Sequence, residues 1–278
     1  MTLTVVRALG LITIQDLGRP GHMHEALPPG GALVRGALIA ANRAAGNSDS
    51  AAAVEILGRL VVRAESDILV AIDTPHLLGA ASAQLLRAGS ELTISSEPRR
   101  AAYLALAGGV AAPLLLGGRG AHLSAGIGQL LRAGDALSPA SSTPPLSSHV
   151  GAPSSLPPSP PDSRLLPIIR VIAGPDLAAF TDAALEALTS APYRILPTSD
   201  RVGTRLAGPV LPRRPEHLER SRPMVRGALE VPRDGAPIVL GPEHPTTGGY
   251  PIVAVIRHAD LDPFFATRPG GEVRFALA

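Results

Sequence analysis

The 278-residue chain has no cysteine, which excludes disulfides, thiolate nucleophiles and cysteine–zinc sites. It has no lysine either, since all 25 basic residues are arginine. That excludes a Schiff-base lysine and the lysine of a phosphate-binding P-loop. Aromatics are scarce, with four Phe, three Tyr and no Trp. With a formal net charge of only +2 and no basic tract carrying interleaved aromatics, nucleic acid is not an expected partner. No apolar run reaches the roughly 18 residues of a membrane span, and Met1 to Leu17 lacks the basic start and apolar centre of a signal peptide. The expected location is cytoplasmic.

What is present is organised in two halves. Leu3 to Ile14 reads as a strand, and Gly31 to Ala45 as a helix stopped by Gly46-Asn47. Ala51 to Ile56, Leu60 to Val62, Ile68 to Ile72, Leu92 to Ile94 and Ala101 to Leu106 read as short strands separated by turn residues. Leu85 to Leu92 is echoed by Leu130 to Leu137 and more loosely by Arg268 to Val273, each a glycine turn feeding a strand. Ser and Pro dominate Ser138 to Ser163, a composition that buries no core and reads as a linker. Expected boundaries are therefore 1–137, 138–163 and 164–278. The second half restarts with a strand at Leu166 to Ala173, an amphipathic helix at Asp176 to Leu188 and a strand at Tyr193 to Leu196.

Three loops carry chemistry. The first, Gln15-Asp16-Leu17-Gly18-Arg19-Pro20-Gly21, reads as a tight turn whose Asp and Arg clasp each other or a ligand. A second loop, Ser199-Asp200-Arg201-Val202-Gly203, repeats its Asp, Arg and Gly after an apolar strand, and hints at related halves. The third is Pro242-Glu243-His244-Pro245-Thr246-Thr247-Gly248-Gly249-Tyr250-Pro251. It lies between the apolar runs Pro237 to Leu240 and Ile252 to Ile256, and reads as the polar tip between two strands. A Ser199–His244–Asp200 triad is conceivable, although no nucleophile-elbow motif supports it. His22 and His24 read as surface residues of an extended segment, and no metal set is expected. Any phosphate meeting the glycine run Gly117 to Gly120 would rely on backbone N–H groups and Arg119. Glu55, set among apolar residues, needs a partner, for which Arg43 is one candidate.

Taken together, Gln15 to Gly21, Ser199-Asp200-Arg201 with Gly203 and Arg205-Leu206, and Thr246-Thr247-Gly248-Gly249-Tyr250-Pro251 resemble one family. It is the biotin-dependent carboxyltransferase-like family, which includes the C subunit of 5-oxoprolinase (older name, the second subunit of allophanate hydrolase) and a domain of urea amidolyase. The resemblance implies a mainly β fold: two cyclophilin-like β-barrel lobes with a few short helices. It implies a B-type partner subunit, an A-type protein beside it, and a small amide substrate. It also implies either ATP-dependent opening of 5-oxoproline by a hydrolase, with nucleotide binding shared with the partner, or carboxyl transfer from biotin to urea. A third reading is a non-catalytic regulatory partner of a kinase-inhibitor protein.

On the enzyme reading the three loops converge on one cleft. Arg19 and Arg201 would clamp an anion, with Gln15 and Ser199 beside them. Thr246, Thr247 and the Gly248-Gly249 backbone would donate to a developing oxyanion next to Tyr250. Asp16, Asp200, Glu243 or His244 would move protons. The chain departs from the family pattern at several polar positions. Gly30 and the Gly117 to Ala121 run replace hydroxyls, Arg222 stands where a Glu is usual, and Glu230 stands where a Gln is usual.

Overall fold

The computed structural model describes residues 1–74, 77–141, 166–214 and 219–278. These fall into two compact units. One takes Met1–Arg19 and 30–141; the other takes Pro20–Pro29, 166–214 and 219–278. The expected linker lies outside the described residues from 142 onward.

The N-terminal unit contains β1 (Leu3–Gln15), α1 (Arg35–Ala44), β2 (Ala53–Ala64), β3 (Ile68–Asp73), β4 (Ala81–Leu86), β5 (Glu91–Ser95), β6 (Ala102–Leu106) and β7 (Ala136–Leu137). They form one seven-stranded sheet in the order β4-β3-β6-β2-β1-β7, with β5 also on β2. Its long ribbon runs from Leu3↔Ala64 to Gln15↔Ala53. The two strands expected at 51–56 and 60–62 are one, because Gly58 faces Gly10 across the ribbon and pairing continues through the glycines. Ile12, Val54, Ile56, Leu60, Val62, Val70, Leu104 and Leu106 are buried in the core of this sheet. Each such aliphatic side chain contributes about 1.5–3 kcal/mol.

Helix α1 begins later than its periodicity predicts, at Arg35 rather than Gly31, and the reason is polar. The Leu33 N–H donates to Glu55 Oε2 at 2.7 Å and the Val34 N–H to the Tyr103 hydroxyl at 2.8 Å. Tyr103 in turn donates to Glu55 Oε2 at 2.7 Å. These bonds hold the approach to the helix in a non-helical path. They also correct the pairing of Glu55, since Arg43 instead holds Asp49 at 2.7 Å. The glycine-turn repeat is real: Gly89, Gly134 and Gly270 all have φ between 81° and 95°, and each precedes a strand.

The C-terminal unit contains β8 (Ile168–Ala173), α2 (Ala184–Ser190), β9 (Tyr193–Ile195), β10 (Gly203–Ala207), β11 (Arg222–Pro223), β12 (Ala228–Glu230), β13 (Ile238–Leu240), β14 (Thr247–Gly248), β15 (Ile252–Ile256), α3 (Leu261–Ala266) and β16 (Glu272–Leu277). Seven strands close into a barrel in the order β10-β13-β12-β15-β8-β16-β9. Strand β16 lies parallel to β8. Tyr193 and Phe264 pack on Phe275, with ring centroids 5.6 and 6.2 Å away. The fold class is thus mainly β with a few short helices.

Further local expectations are corrected here. The helix expected over Asp176 to Leu188 is a short turn at Leu177–Ala179 followed by α2. Phe180 interrupts it with an extended backbone that bridges to Arg213, and its carbonyl accepts from Arg214 Nε at 2.8 Å. The runs ending at Leu240 and starting at Ile252 do not form a hairpin. Both β13 and β15 pair with β12, which lies between them. The connection between them instead carries β14, paired with β11 in the register Arg222↔Gly248. His22 to Glu25 is a short helical turn with His22 Nδ1 2.7 Å from Glu25, not an extended segment.

Candidate functional site

In the N-terminal unit the chemistry-bearing loop is tied to itself. Asp16 Oδ1 accepts from the Gly18 N–H at 2.8 Å and Oδ2 from the Arg119 N–H at 2.6 Å. The Arg19 guanidinium is 1% exposed. It donates to the carbonyls of Gly120 at 2.5 Å and Leu115 at 3.4 Å, while Nη1 has no partner among the described residues. Gln15 donates to Thr13 Oγ1 and the Ala121 carbonyl at 3.1 and 3.0 Å.

The glycine run beside them spends several of its N–H groups within the protein. The Gly118 N–H donates to Leu115, the Arg119 N–H to Asp16 and the Ala121 N–H to Ile14. The Arg119 side chain donates to the Ala112 carbonyl. Three of the N–H groups in this run, those of Gly118, Arg119 and Ala121, are thus already donated, and the Asp16 carboxylate lies among them.

In the C-terminal unit the second loop has the same internal logic. Asp200 Oδ1 accepts from the N–H groups of Val202 and Gly203 at 2.9 Å, as Asp16 does two residues onward. Ser199 Oγ donates to the Arg205 carbonyl and accepts its N–H at 3.0 Å. Buried Arg201 pairs with Glu243 at 2.6 Å. Backbone bonds from Glu243 N to Arg201 O and from Gly241 N to Val202 O join this loop to the Pro242 loop. His244 is buried, with Nδ1 2.8 Å from the Pro245 carbonyl. Burial holds its pKa below the ordinary value; the Pro245 bond opposes this and the Arg226 charge adds to it. The ring is therefore neutral at neutral pH. Its ring nitrogen faces a carbonyl and Ser199 faces Arg205, so no triad is assembled from these contacts.

Thr246 and Gly248 are partly covered, Thr247 is exposed and Tyr250 is 43% exposed. Beneath Gly248 lies a residue that none of the three loops contains. A Cβ built on Gly248 would stand 2.9 Å from Glu230 Oε1 and 2.6 Å from Met224 Cε. A larger residue at 248 would have to displace the ends of these two side chains. Glu230 ends β12 at a register shift opposite β15, the kind of irregularity that re-aims a side chain. It has no hydrogen-bonding partner among the described residues, and burial alone pushes its pKa to about 7.

Arg222, opposite Gly248, holds Asp176 at 2.5 Å, and Asp176 Oδ2 accepts the Ile252 N–H at 2.9 Å. Ile252 is the partner of Glu230 across the sheet. The signal for this cluster was a lone Glu inside the apolar run Ala228 to Val231. Its meaning stayed hidden because the pairing of β14 with β11 is non-local. Among the described residues there is no group of three metal-ligating side chains. No helix among them is long and apolar enough to cross a membrane.

Residues 26–277 match the family described as carboxyltransferase domain, subdomain A and B. The chain belongs to this carboxyltransferase family. It is 34% identical to the C subunit of 5-oxoprolinase of Escherichia coli (strain K12) over 281 residues, which covers 93% of this chain and 86% of that protein. Urea amidolyase of Lachancea kluyveri is 26% identical over 95% of this chain but only 16% of its own length. The solved structure of TTHA0988 matches this carboxyltransferase-family chain with a TM-score of 0.82 and 30% identity, covering 99% of this chain. The chain spans about half the length of that solved protein, at 55%. Glu230 and its cover belong to the segment, Arg222 to Ile256, that also carries Thr-Thr-Gly-Gly-Tyr-Pro.

Proposed function

We propose that this chain is one component of an ATP-dependent 5-oxoprolinase-type amide hydrolase that works with a B-type partner subunit. The observation that carries the reading is the 34% identity to a 5-oxoprolinase C subunit along 93% of the chain. The geometry of the C-terminal unit is compatible with it. The loop Thr246 to Tyr250 offers two hydroxyls, a glycine pair and a half-exposed ring, and its Gly248 lies beside a buried carboxyl. We place substrate contact at Thr246, Thr247, Gly248, Gly249 and Tyr250.

Nucleotide handling is assigned to the partner, because Gly118, Arg119 and Ala121 of the glycine run already donate their N–H groups and the chain has no lysine. Arg19 and Arg201 act on this reading as braces of their loops, through carbonyls and through Glu243 respectively. The neighbouring reading, carboxyl transfer from a biotin carrier to a small amide, is favoured by the family description and by the urea amidolyase relative.

The test is ATP-dependent hydrolysis of 5-oxoproline by this chain co-purified with its A-type and B-type partners. Turnover that needs all the components is the expected result. A correctly assembled complex that leaves 5-oxoproline intact overturns the reading. If that complex instead carboxylates urea when supplied with carboxybiotin, the neighbouring reading takes its place.

A further inference from the structure

We propose that Arg19 Nη1 and the Gly30 N–H hold one carboxylate oxygen of a small monocarboxylate, at a site within the N-terminal unit. The first ground is an unanswered charge. Arg19 carries a permanent positive charge and is 1% exposed. Its Nε and Nη2 donate to the carbonyls of Leu115 and Gly120, and Nη1 has no partner among the described residues. The carboxylate of its own loop does not pair with it, because Asp16 accepts instead from the Gly18 and Arg119 N–H groups. The second loop supplies the comparison. There Arg201 is also deeply buried and holds Glu243 at 2.6 Å. A buried cation is costly without an anion to pair with, so Arg19 is poised for a counter-charge brought by a ligand.

The second ground is room beside that nitrogen. A Cβ built on Gly30 would stand 3.7 Å from Arg19 Nη1 and, chain neighbours apart, would meet no other heavy atom within 4 Å. Gly30 is nonetheless buried, and its N–H has no partner among the described residues. Buried positions are ordinarily close-packed, so this space takes at least one further heavy atom next to two unpartnered donors. Position 30 is also one where the chain lacks a hydroxyl of its family pattern. A serine there would offer Nη1 an oxygen; glycine leaves the donor open. The site lies just under the surface. Pro20 is exposed, Pro29 is partly exposed, and the stretch Leu115 to Gly117, to which Arg19 donates, is exposed as well.

The chemical class follows from the charge count. One guanidinium charge is unmatched, so a monoanion neutralises the site and a dianion overfills it. The carbonyls of Leu115 and Gly120 already put negative potential around the rest of the guanidinium. Asp16 adds to it, since its Oδ1 would stand 2.9 Å from a Cβ on Gly120. A carboxylate oxygen is able to accept from Nη1 and from a backbone N–H at once, and such charge-assisted bonds are the strong ones. Two sources share this chemistry: a free small acid such as acetate, and the carboxylate of a larger substrate such as 5-oxoproline. The site stands whichever reaction the chain serves.

The test titrates the full chain with acetate by calorimetry at constant ionic strength, in wild type and Gly30→Ser. Acetamide serves as the uncharged isostere and sulfate as the dianion. Wild type should bind acetate saturably, sulfate more weakly and acetamide not at all. The new hydroxyl fills the space and engages Nη1, so the acetate affinity of Gly30→Ser should fall about tenfold or more, the loss of one charge-assisted hydrogen bond. A cooperative thermal transition shows that the variant folds, since any side chain is strained at the left-handed φ of 62°. Competition between 5-oxoproline and acetate assigns the site to a substrate carboxylate, and acetate binding without competition assigns it to a free acid; both uphold the site. Wild type that does not bind acetate, or binds sulfate as tightly, overturns it. Equal acetate binding by wild type and folded Gly30→Ser overturns it too, because the acid then binds elsewhere. If Gly30→Ser does not fold, a crystal of wild type grown in acetate decides. An acetate oxygen within hydrogen-bond distance of Nη1 upholds the site, and a water only at that place overturns it.

Discussion

Replacing Glu230 by Gln should make the protein more stable, and only above a certain pH. The folded chain raises the carboxyl from an ordinary value of 4.5 to about 7 through burial. The folded state therefore binds the proton more tightly than the unfolded state. Stability from this group is fully present below about pH 4.5 and is lost as pH rises through 7. Each tenfold step in proton affinity corresponds to about 1.4 kcal/mol, so ionised Glu230 carries a penalty of up to about 3 kcal/mol. Residual solvent contact reduces this to roughly 2 kcal/mol. Gln has nearly the same shape and never ionises. Urea unfolding of the full chain, followed by circular dichroism at pH 4.5 and pH 8, measures the difference. The variant should match wild type within about 0.5 kcal/mol at pH 4.5 and exceed it by roughly 2 kcal/mol at pH 8. Two stability curves that run parallel across this range would refute the reasoning, because they would mean that the carboxyl finds a compensating partner in the folded state.

Tyr103→Phe removes the hydroxyl that accepts the Val34 N–H and donates to buried Glu55, and should cost about 1–3 kcal/mol in the same unfolding assay. Arg201→Ala leaves nearly buried Glu243 without its guanidinium and should cost about 3–5 kcal/mol. Adding Glu243→Gln should recover part of that loss, a coupling that a double-mutant cycle reads directly. Arg222→Ala strands Asp176 in the same way. It should lower the thermal midpoint of the C-terminal unit at pH 7.

Sequence periodicity reached the regular parts of the fold. Strand β1, strand β3, the barrel strand Ile252–Ile256 and the three glycine turns follow from local patterns, and the structure places them accordingly. The misses have one cause. Gly58 reads as a break until Gly10 is seen opposite it, and Phe180 reads as helical until Arg213 is seen beside it. The delayed start of α1 depends on Tyr103, a residue about seventy positions away, and on Glu55. The site behaves likewise. Its motif loop is legible because Thr, Gly, Tyr and Pro cluster in sequence. Glu230 is not, because what makes it unusual is the strand β14 laid over it and the lack of a hydrogen-bonding partner for it among the described residues.

The seam of the C-terminal barrel carries a consequence for biogenesis. Strand β8 lies alongside β16 in parallel, so Ile169 meets Phe275 only after roughly a hundred intervening residues have been made. Until residues 272–277 leave the ribosome, β8 has one flank of unsatisfied peptide groups, and Tyr193 and Phe264 lack the ring they pack against. The emerging chain is then a natural client for a holdase chaperone. A stop codon at Glu272 would leave that client state permanent.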